Sequence, residues 1–249
     1  MAGHSKWKQI KRQKAVVDQR RGAQFTKLGR EITMAAKAGG GDPDGNARLR
    51  LAILKAREGN MPMDIIDRAI NKAVGGADTT VMDEIVYEGY GPGGTAVLVE
   101  AVTDNRNRTV AEIRNAFTRG GGNLGEAGSV AWQFNTRGVV SLDADGTDAE
   151  ELALLAIDAG AEDFTVEDDA VSIYTKPEDL MAVRQALIDG GHEPSSAEID
   201  RVPTATVPLE EKEALQALKL LERLEDLEDV QKVYSNADFP DEVLAEYSA

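Results

Sequence analysis

The chain has 249 residues, 42% of them hydrophobic and 29% charged, a balance that folds rather than stays disordered and a length that exceeds one ordinary core. It contains no cysteine, which excludes disulfides, thiolate metal sites, iron–sulfur clusters and cysteine nucleophiles and fits a reducing, cytoplasmic location. The formal net charge is −16, no run approaches the roughly 18 to 20 apolar residues of a membrane helix, and no apolar signal core follows the basic N-terminus.

Phe25, Leu28, Ile32, Ala35 and Ala36 recur at spacings of three and four, which predicts a helix from Asp18 to Lys37 ended by Gly39-Gly40-Gly41. Asp42-Pro43-Asp44-Gly45 supplies a turn, and Leu49, Ile53 and Ala56 mark a second helix from Asn46 to Glu58. Pro62 suits the first turn of a third helix, whose inner face carries Ile65, Ile66, Ala69, Ile70 and Ala73 before Gly75-Gly76 stops it. The opening part of the chain therefore reads as all-helical.

After Asp78 the texture changes. Ile85-Val86-Tyr87 and Ala96 to Val102 read as the strands of a hairpin around Gly89-Tyr90-Gly91-Pro92-Gly93-Gly94. Thr109-Val110-Ala111-Glu112 fits a capping box that opens a helix with Val110, Ile113 and Phe117, ended by Gly120-Gly121-Gly122, and Ser129 to Phe134 follows as a strand. From Arg137 to Val202 the order is strand Val139–Leu142, helix Ala149–Asp158, strand Phe164–Val166, strand Val171–Tyr174, helix Glu178–Leu187 and strand Ser196–Val202. This βαββαβ order is the ferredoxin-like split βαβ arrangement, which hosts many functions. A short strand Thr204–Val207, a helix through Leu215, Leu218, Leu221 and Leu224, and a strand Val230–Tyr234 close the chain.

Residues 79–136 and 203–249 each look incomplete alone, and together they can make one sheet layered with helices. The expected fold class is thus α+β and multidomain: a basic helical domain over 1–78, a discontinuous central α/β domain over 79–136 and 203–249, and a ferredoxin-like domain inserted at 137–202.

The charges are segregated along this order. Residues 1–76 carry a net +9 and residues 77–249 a net −25, the asymmetry of a polyanion-binding segment joined to a body that repels polyanions. Lys6, Lys8, Lys11, Arg12, Lys14, Arg20, Arg21, Lys27 and Arg30 crowd the first 30 residues, where Asp18 is the single acid. Lysine and arginine neutralise phosphates whatever the base sequence, so this cluster is the candidate nucleic-acid contact. Trp7 taken alone reads as a hydrophobic anchor, and amid lysines it can also stack on an exposed base. Arg48, Arg50, Lys55 and Arg57 extend the positive field or line a solvated face. Arg106 and Arg108 precede a predicted helix N-terminus, where they can hold a phosphate or brace the loop against the acidic body. Removing residues 1–30 is expected to abolish nucleic-acid binding and leave the rest folded.

Other motifs are structural. Gly89 to Gly94 matches G-x-G-x-x-G but opens a strand, so it is a turn rather than a dinucleotide site. His4 and His192 have no second ligand at metal spacing, and the carboxylates form no acid/base signature. The leucine-rich helix spans under three heptads, so it packs in a core. No enzyme activity, metal or cofactor is expected, and a monomer is the expected state.

Gly3-His4-Ser5-Lys6-Trp7, Tyr87-Glu88-Gly89-Tyr90-Gly91-Pro92-Gly93-Gly94, Asp104-Asn105-Arg106-Asn107-Arg108-Thr109 and Gly121-Gly122-Asn123-Leu124-Gly125, in this order, resemble the YebC/PmpR family. The likeness extends to Asp229-Val230-Gln231-Lys232-Val233-Tyr234, essentially the whole chain. The resemblance implies three domains and control of gene expression without turnover. Bacterial members are described as DNA-binding transcriptional regulators. Mitochondrial relatives activate translation of a cytochrome oxidase subunit, and some bacterial members resemble ribosome-associated factors that help synthesis through proline-rich stretches. The family motif begins at Gly3, so the resemblance implies no organellar presequence and a bacterial cytoplasmic member. The expected partner is DNA or, as the alternative, ribosomal RNA, with the acidic domains then facing basic ribosomal proteins.

Overall fold

Gly39 closes the first helix, α1 (Asp18–Gly39), because Gly40 turns the chain with φ of +88°, a region that L side chains rarely adopt. The computed structural model describes residues 18–75, 82–143, 149–167 and 170–248; for Arg20 and Arg21 it describes backbone alone. Buried Asn46 then ties two helices together. Its side-chain oxygen accepts from Leu49 N at 3.0 Å, capping α2 (Ala47–Glu58), while its amide donates to Ala35 O and Gly40 O at 2.8 Å each. Pro62 stands at the N-cap of α3 (Met63–Val74) rather than inside its first turn. Leu28, Ile32, Ala35 and Ala36 of α1 bury against Leu49, Ala52, Ile53 and Ala56 of α2 and Ile66 of α3. The predicted stripe is the observed core of this helical unit. Because Leu28 is 5% exposed and Ile32 fully buried, a cut at residue 30 would remove part of this core.

The central sheet has the order β3-β1-β2-β9. β1 (Asp83–Tyr90) and β2 (Ala96–Thr103) form the hairpin, joined by a 3-10 turn at Pro92–Gly94. β3 (Asn123–Leu124) pairs with β1, and β9 (Val230–Ser235) pairs antiparallel with β2. Gly89 permits that close β1–β3 approach, since a Cβ there would lie 2.6 Å from the Phe117 ring and 2.7 Å from Asn123 O. α4 (Arg106–Arg119) and α7 (Glu211–Glu225) cover one face, burying Ile113, Phe117, Leu218 and Leu221 on Val97 and Val99. α8 (Asp241–Ser248), which follows no predicted element, adds Val243 and Leu244 to the same core. A two-stranded parallel ribbon, β8 (Val207–Pro208) with β10 (Ala237–Asp238), stands where a longer strand was predicted at Thr204–Val207.

The second sheet has the order β5-β6-β4-β7, all pairs antiparallel, from β4 (Phe134–Asp143), β5 (Ala161–Glu167), β6 (Ala170–Thr175) and β7 (Ser196–Pro203). α5 (Ala149–Asp158) and α6 (Leu180–Asp189) bury Leu152, Ala156, Leu180, Val183 and Leu187 on Val140, Leu142, Val171 and Ile173. This is the split βαβ order that the sequence pattern predicts. Among the described residues no helix is long and apolar enough to cross a membrane.

Two further local expectations differ. α4 begins at Arg106 with Asn105 as its cap, the Asn105 side chain accepting from Arg108 N at 3.1 Å, so Thr109 lies inside the helix rather than at its start. The short asparagine side chain reaches the free N–H first, and the Thr109 hydroxyl is used elsewhere. Residues 129–133 form a bend and a 3-10 segment at Ala131–Gln133, not a strand.

Candidate nucleic-acid interface

Six of the predicted contacts, Lys6, Trp7, Lys8, Lys11, Arg12 and Lys14, lie outside the described residues, and Arg20 and Arg21 are placed only on the first turns of α1. Four of the remaining cations, Lys27, Arg30, Lys55 and Arg108, lie at two junctions within the chain.

The first lies around Asp229, which is 2% exposed at the start of β9. Arg30, on the outer face of α1, donates through Nη1 to Glu228 O at 2.8 Å and to Asp229 Oδ1 at 3.1 Å, and through Nη2 to Glu228 Oε1 at 2.5 Å. Lys27, one turn earlier, donates to Glu225 O at the end of α7. From α4, Arg108 donates to Asp229 Oδ2 at 2.7 Å and to Asp104 Oδ1 at 2.9 Å. The Thr103 and Thr109 hydroxyls donate to the same Oδ2 at 3.1 and 2.8 Å. Burial pushes the Asp229 pKa up, but these hydroxyl and guanidinium donors outweigh it and hold the carboxyl below the usual aspartate range. The arrangement joins the helical unit, α4 and β9 through one carboxylate.

A second junction centres on Lys232 of β9. Its ammonium donates to Ile199 O at 2.9 Å and Asp200 Oδ1 at 3.0 Å and lies 2.9 Å from Glu198 Oε2. Lys55 of α2 lies 3.9 Å from the same Glu198 oxygen and 2.9 Å from Glu31 of α1. Burial opposes the Lys232 charge, and Glu198 beside it more than offsets that, so its pKa is raised and the lysine stays protonated. Tyr234 beside it is pushed up by burial, with Glu100, 3.3 Å from its hydroxyl, adding to the effect against Lys232.

Lys27, Arg30, Lys55 and Arg108 thus bind the chain to itself. Arg48 pairs with Glu84 of β1, and Arg106 donates to Asp83 at 2.7 Å, which lowers the Asp83 pKa. Arg106 and Arg108 stand on the first turn of α4 and pair with Asp83, Asp104 and Asp229. Arg50 reaches Asp44 O at 3.4 Å from an exposed position, and Arg57 is exposed on α2.

Sequence reasoning missed Trp132. A strand over Ser129–Phe134 would put Val130, Trp132 and Phe134 on one face. The 3-10 turn instead buries Val130 and Phe134 and turns Trp132 out, 73% exposed. The indole is held in place, donating from Nε1 to Ser129 O at 3.1 Å, and Ser129 O also accepts from the Tyr90 hydroxyl at 3.1 Å. Buried Glu88 organises the loop beneath it, accepting from the backbone N–H of Gly128 at 2.6 Å and of Val130 and Ala131 at 2.7 Å each. Burial works against the Glu88 charge, and the three N–H groups prevail, lowering its pKa. Glu88→Ala leaves those donors unpaired and is expected to cost roughly 2 to 4 kcal/mol. Urea unfolding followed by tryptophan emission checks this, and an unchanged midpoint would show that water replaces the carboxylate at no loss.

Comparison with known proteins bears on the whole chain. Residues 5–76 match the TACO1/YebC protein N-terminal domain, and residues 82–237 match the TACO1/YebC second and third domain. A protein of Thermomicrobium roseum named "Probable transcriptional regulatory protein" is 57% identical over 244 residues, covering 98% of each chain. A Herpetosiphon aurantiacus protein of the same name is 53% identical over 249 residues, covering 100% of this chain and 99% of its own. The crystal structure of a conserved hypothetical protein from Aquifex aeolicus superposes with a TM-score of 0.83 at 44% identity, covering 91% of this chain and 93% of that one. The matched segments, the relatives and the shared fold together place this chain in the TACO1/YebC family.

Proposed function

We propose that the protein is a non-enzymatic regulator of gene expression that binds nucleic acid through its basic N-terminal segment. The observation that carries this reading is the concentration of nine lysines and arginines against one acid in residues 1–30, ahead of a body with a net charge of −25 over residues 77–249. Internal pairing accounts for Lys27 and Arg30, and for Arg48, Lys55, Arg106 and Arg108 further on. Lys6, Lys8, Lys11, Arg12, Lys14, Arg20 and Arg21 are therefore the residues assigned to phosphate, with Trp7 as the stacking group. The name carried by the relatives, "Probable transcriptional regulatory protein", supports control of transcription.

One observation weighs against a helix-turn-helix reading of DNA and so keeps the second reading, ribosomal RNA and a role in translation, in play. α3 follows α2 by a short turn, the place of a DNA-reading helix, yet Asp64 and Asp67 stand in its first two turns and Arg68 is paired with Asp64 at 2.5 Å. Carboxylates at the leading end of a recognition helix would face phosphate rather than attract it. Crosslinking in cells, with sequencing of both DNA and RNA bound to the full-length protein, tests the proposal. Promoter DNA supports the first reading and ribosomal RNA the second. Recovery of neither above a mock pull-down overturns both.

A further inference from the structure

β5 is an edge strand whose outer side meets no other described strand, whereas β7 at the opposite edge is covered by α2 and approached by β9. Phe164 and Val166 stand opposite Ile173 and Val171, which are buried beneath α5 and α6, so both lie on the helix-covered face of the sheet. They are nevertheless 37% and 51% exposed, because the sheet ends there.

α5 continues the same surface. A Cβ on Gly190 would lie 2.5 Å from Leu155, which places Leu155 toward α6. Ile157 and Leu154 project away from that side and are 51% and 65% exposed. Together, four large apolar side chains border a strand edge that no described strand pairs, where Phe164 N donates to Asp163 Oδ1 at 2.9 Å. Natural edges are commonly blunted by lysine, proline or a bulge. Here an irregularity lies between Ala161 and Asp163, and the strand from there to Val166 pairs regularly with β6.

The segment that forms this edge is acidic in sequence. Residues 149–167 contain six carboxylates and no lysine or arginine. Asp163 and Thr165 lie on the face opposite Phe164 and Val166, by the alternation of the strand. Glu162 is met by Arg137 at 3.8 Å. A second copy of the same edge would set Glu162 and Asp163 against the same two carboxylates, which disfavours self-pairing.

We propose that β5 and the outer flank of α5 dock an extended basic segment of a partner protein in which apolar residues alternate with lysine or arginine. The segment adds as a fifth strand. Its apolar residues continue the Phe164–Val166 face toward Ile157, and its cations fall on the other face beside Asp163. Main-chain hydrogen bonds supply affinity, and the alternation supplies specificity. The proposal stands whether or not the N-terminal segment binds nucleic acid.

The test titrates full-length protein with a fluorescent nine-residue peptide of alternating lysine and valine, then maps amide exchange. Binding at least tenfold weaker in Phe164→Glu and in Val166→Glu, with exchange slowed over residues 161–167, is the expected result. Both side chains are exposed, and unchanged thermal melts verify the fold of the variants. Equal binding of the glutamate–valine peptide, undiminished binding by both variants, or slowing at another strand overturns the proposal. Self-association lost in Phe164→Glu would reassign the edge to a second copy. Binding that appears only after removal of residues 1–17 would reassign it to the chain's own basic segment.

Discussion

Asp229→Ala is expected to lower the free energy of unfolding by about 2–4 kcal/mol. The substitution leaves the Thr103 and Thr109 hydroxyls without their acceptor and the guanidinium groups of Arg30 and Arg108 without their buried counter-ion. The cost stays below that of opening a fully enclosed pair because the Arg108 side chain is 44% exposed and water takes up part of its charge. Glu228→Gln supplies the contrast. Glu228 also pairs with Arg30, but its side chain is 75% exposed, so its loss is expected to cost under about 1 kcal/mol. Because the Asp229 pKa is depressed on folding, its contribution is fully present above the ordinary aspartate value of about 3.9 and is lost as pH falls through the folded value. Denaturant unfolding at pH 7 and at pH 3 measures both effects. Equal losses for Asp229→Ala and Glu228→Gln at pH 7 would sink the idea that burial decides between the two carboxylates.

Replacing Lys6, Lys8, Lys11, Arg12 and Lys14 together by glutamine is expected to remove most nucleic-acid affinity while the thermal melt stays unchanged. Each phosphate contact contributes about 0.7 to 0.9 to the slope of log K against log salt, so five lost contacts flatten that slope by roughly 3.5 to 4.5. A matched variant at the braced cations, Arg48→Gln with Arg106→Gln, is expected to leave the slope within about 1 of the parent, since those charges already face Glu84 and Asp83. Fluorescence anisotropy across a salt series, on duplex DNA and on single-stranded RNA, makes the measurement. A parental slope in the fivefold variant would falsify the assignment of the N-terminal segment. This design also replaces truncation at residue 30, which would remove Leu28 from the helical core along with the charges.

Much of the architecture follows from local pattern. The stripe from Leu28 to Ala36 had one face to bury, and α2 and α3 bury it. The βαββαβ order is legible because each of its elements carries its own period. Where two local solutions compete, the pattern fails. Both Asn105 and Thr109 are good caps, and the choice falls to Asn105 because the Thr109 hydroxyl is drawn to Asp229, 120 residues away. Val130, Trp132 and Phe134 alternate like a strand, but Glu88 gathers the backbone N–H groups of Gly128, Val130 and Ala131 into a turn. α8 is eight residues long, too short for its period to stand out.

The sequence by itself determined the segregation of charge, the helical opening, the split βαβ unit and the motifs that place the chain in its family, because each depends on residues close together along the chain. Only the tertiary structure shows which of the described cations are paired within the chain. Lys27, Arg30 and Arg108 look alike in sequence to any phosphate-binding residue, yet each is committed to a carbonyl or carboxylate of the segment 225–229. The reason is electrostatic and geometric together: an ion pair is a property of distance in space, and these partners lie 121 to 199 positions apart along the chain.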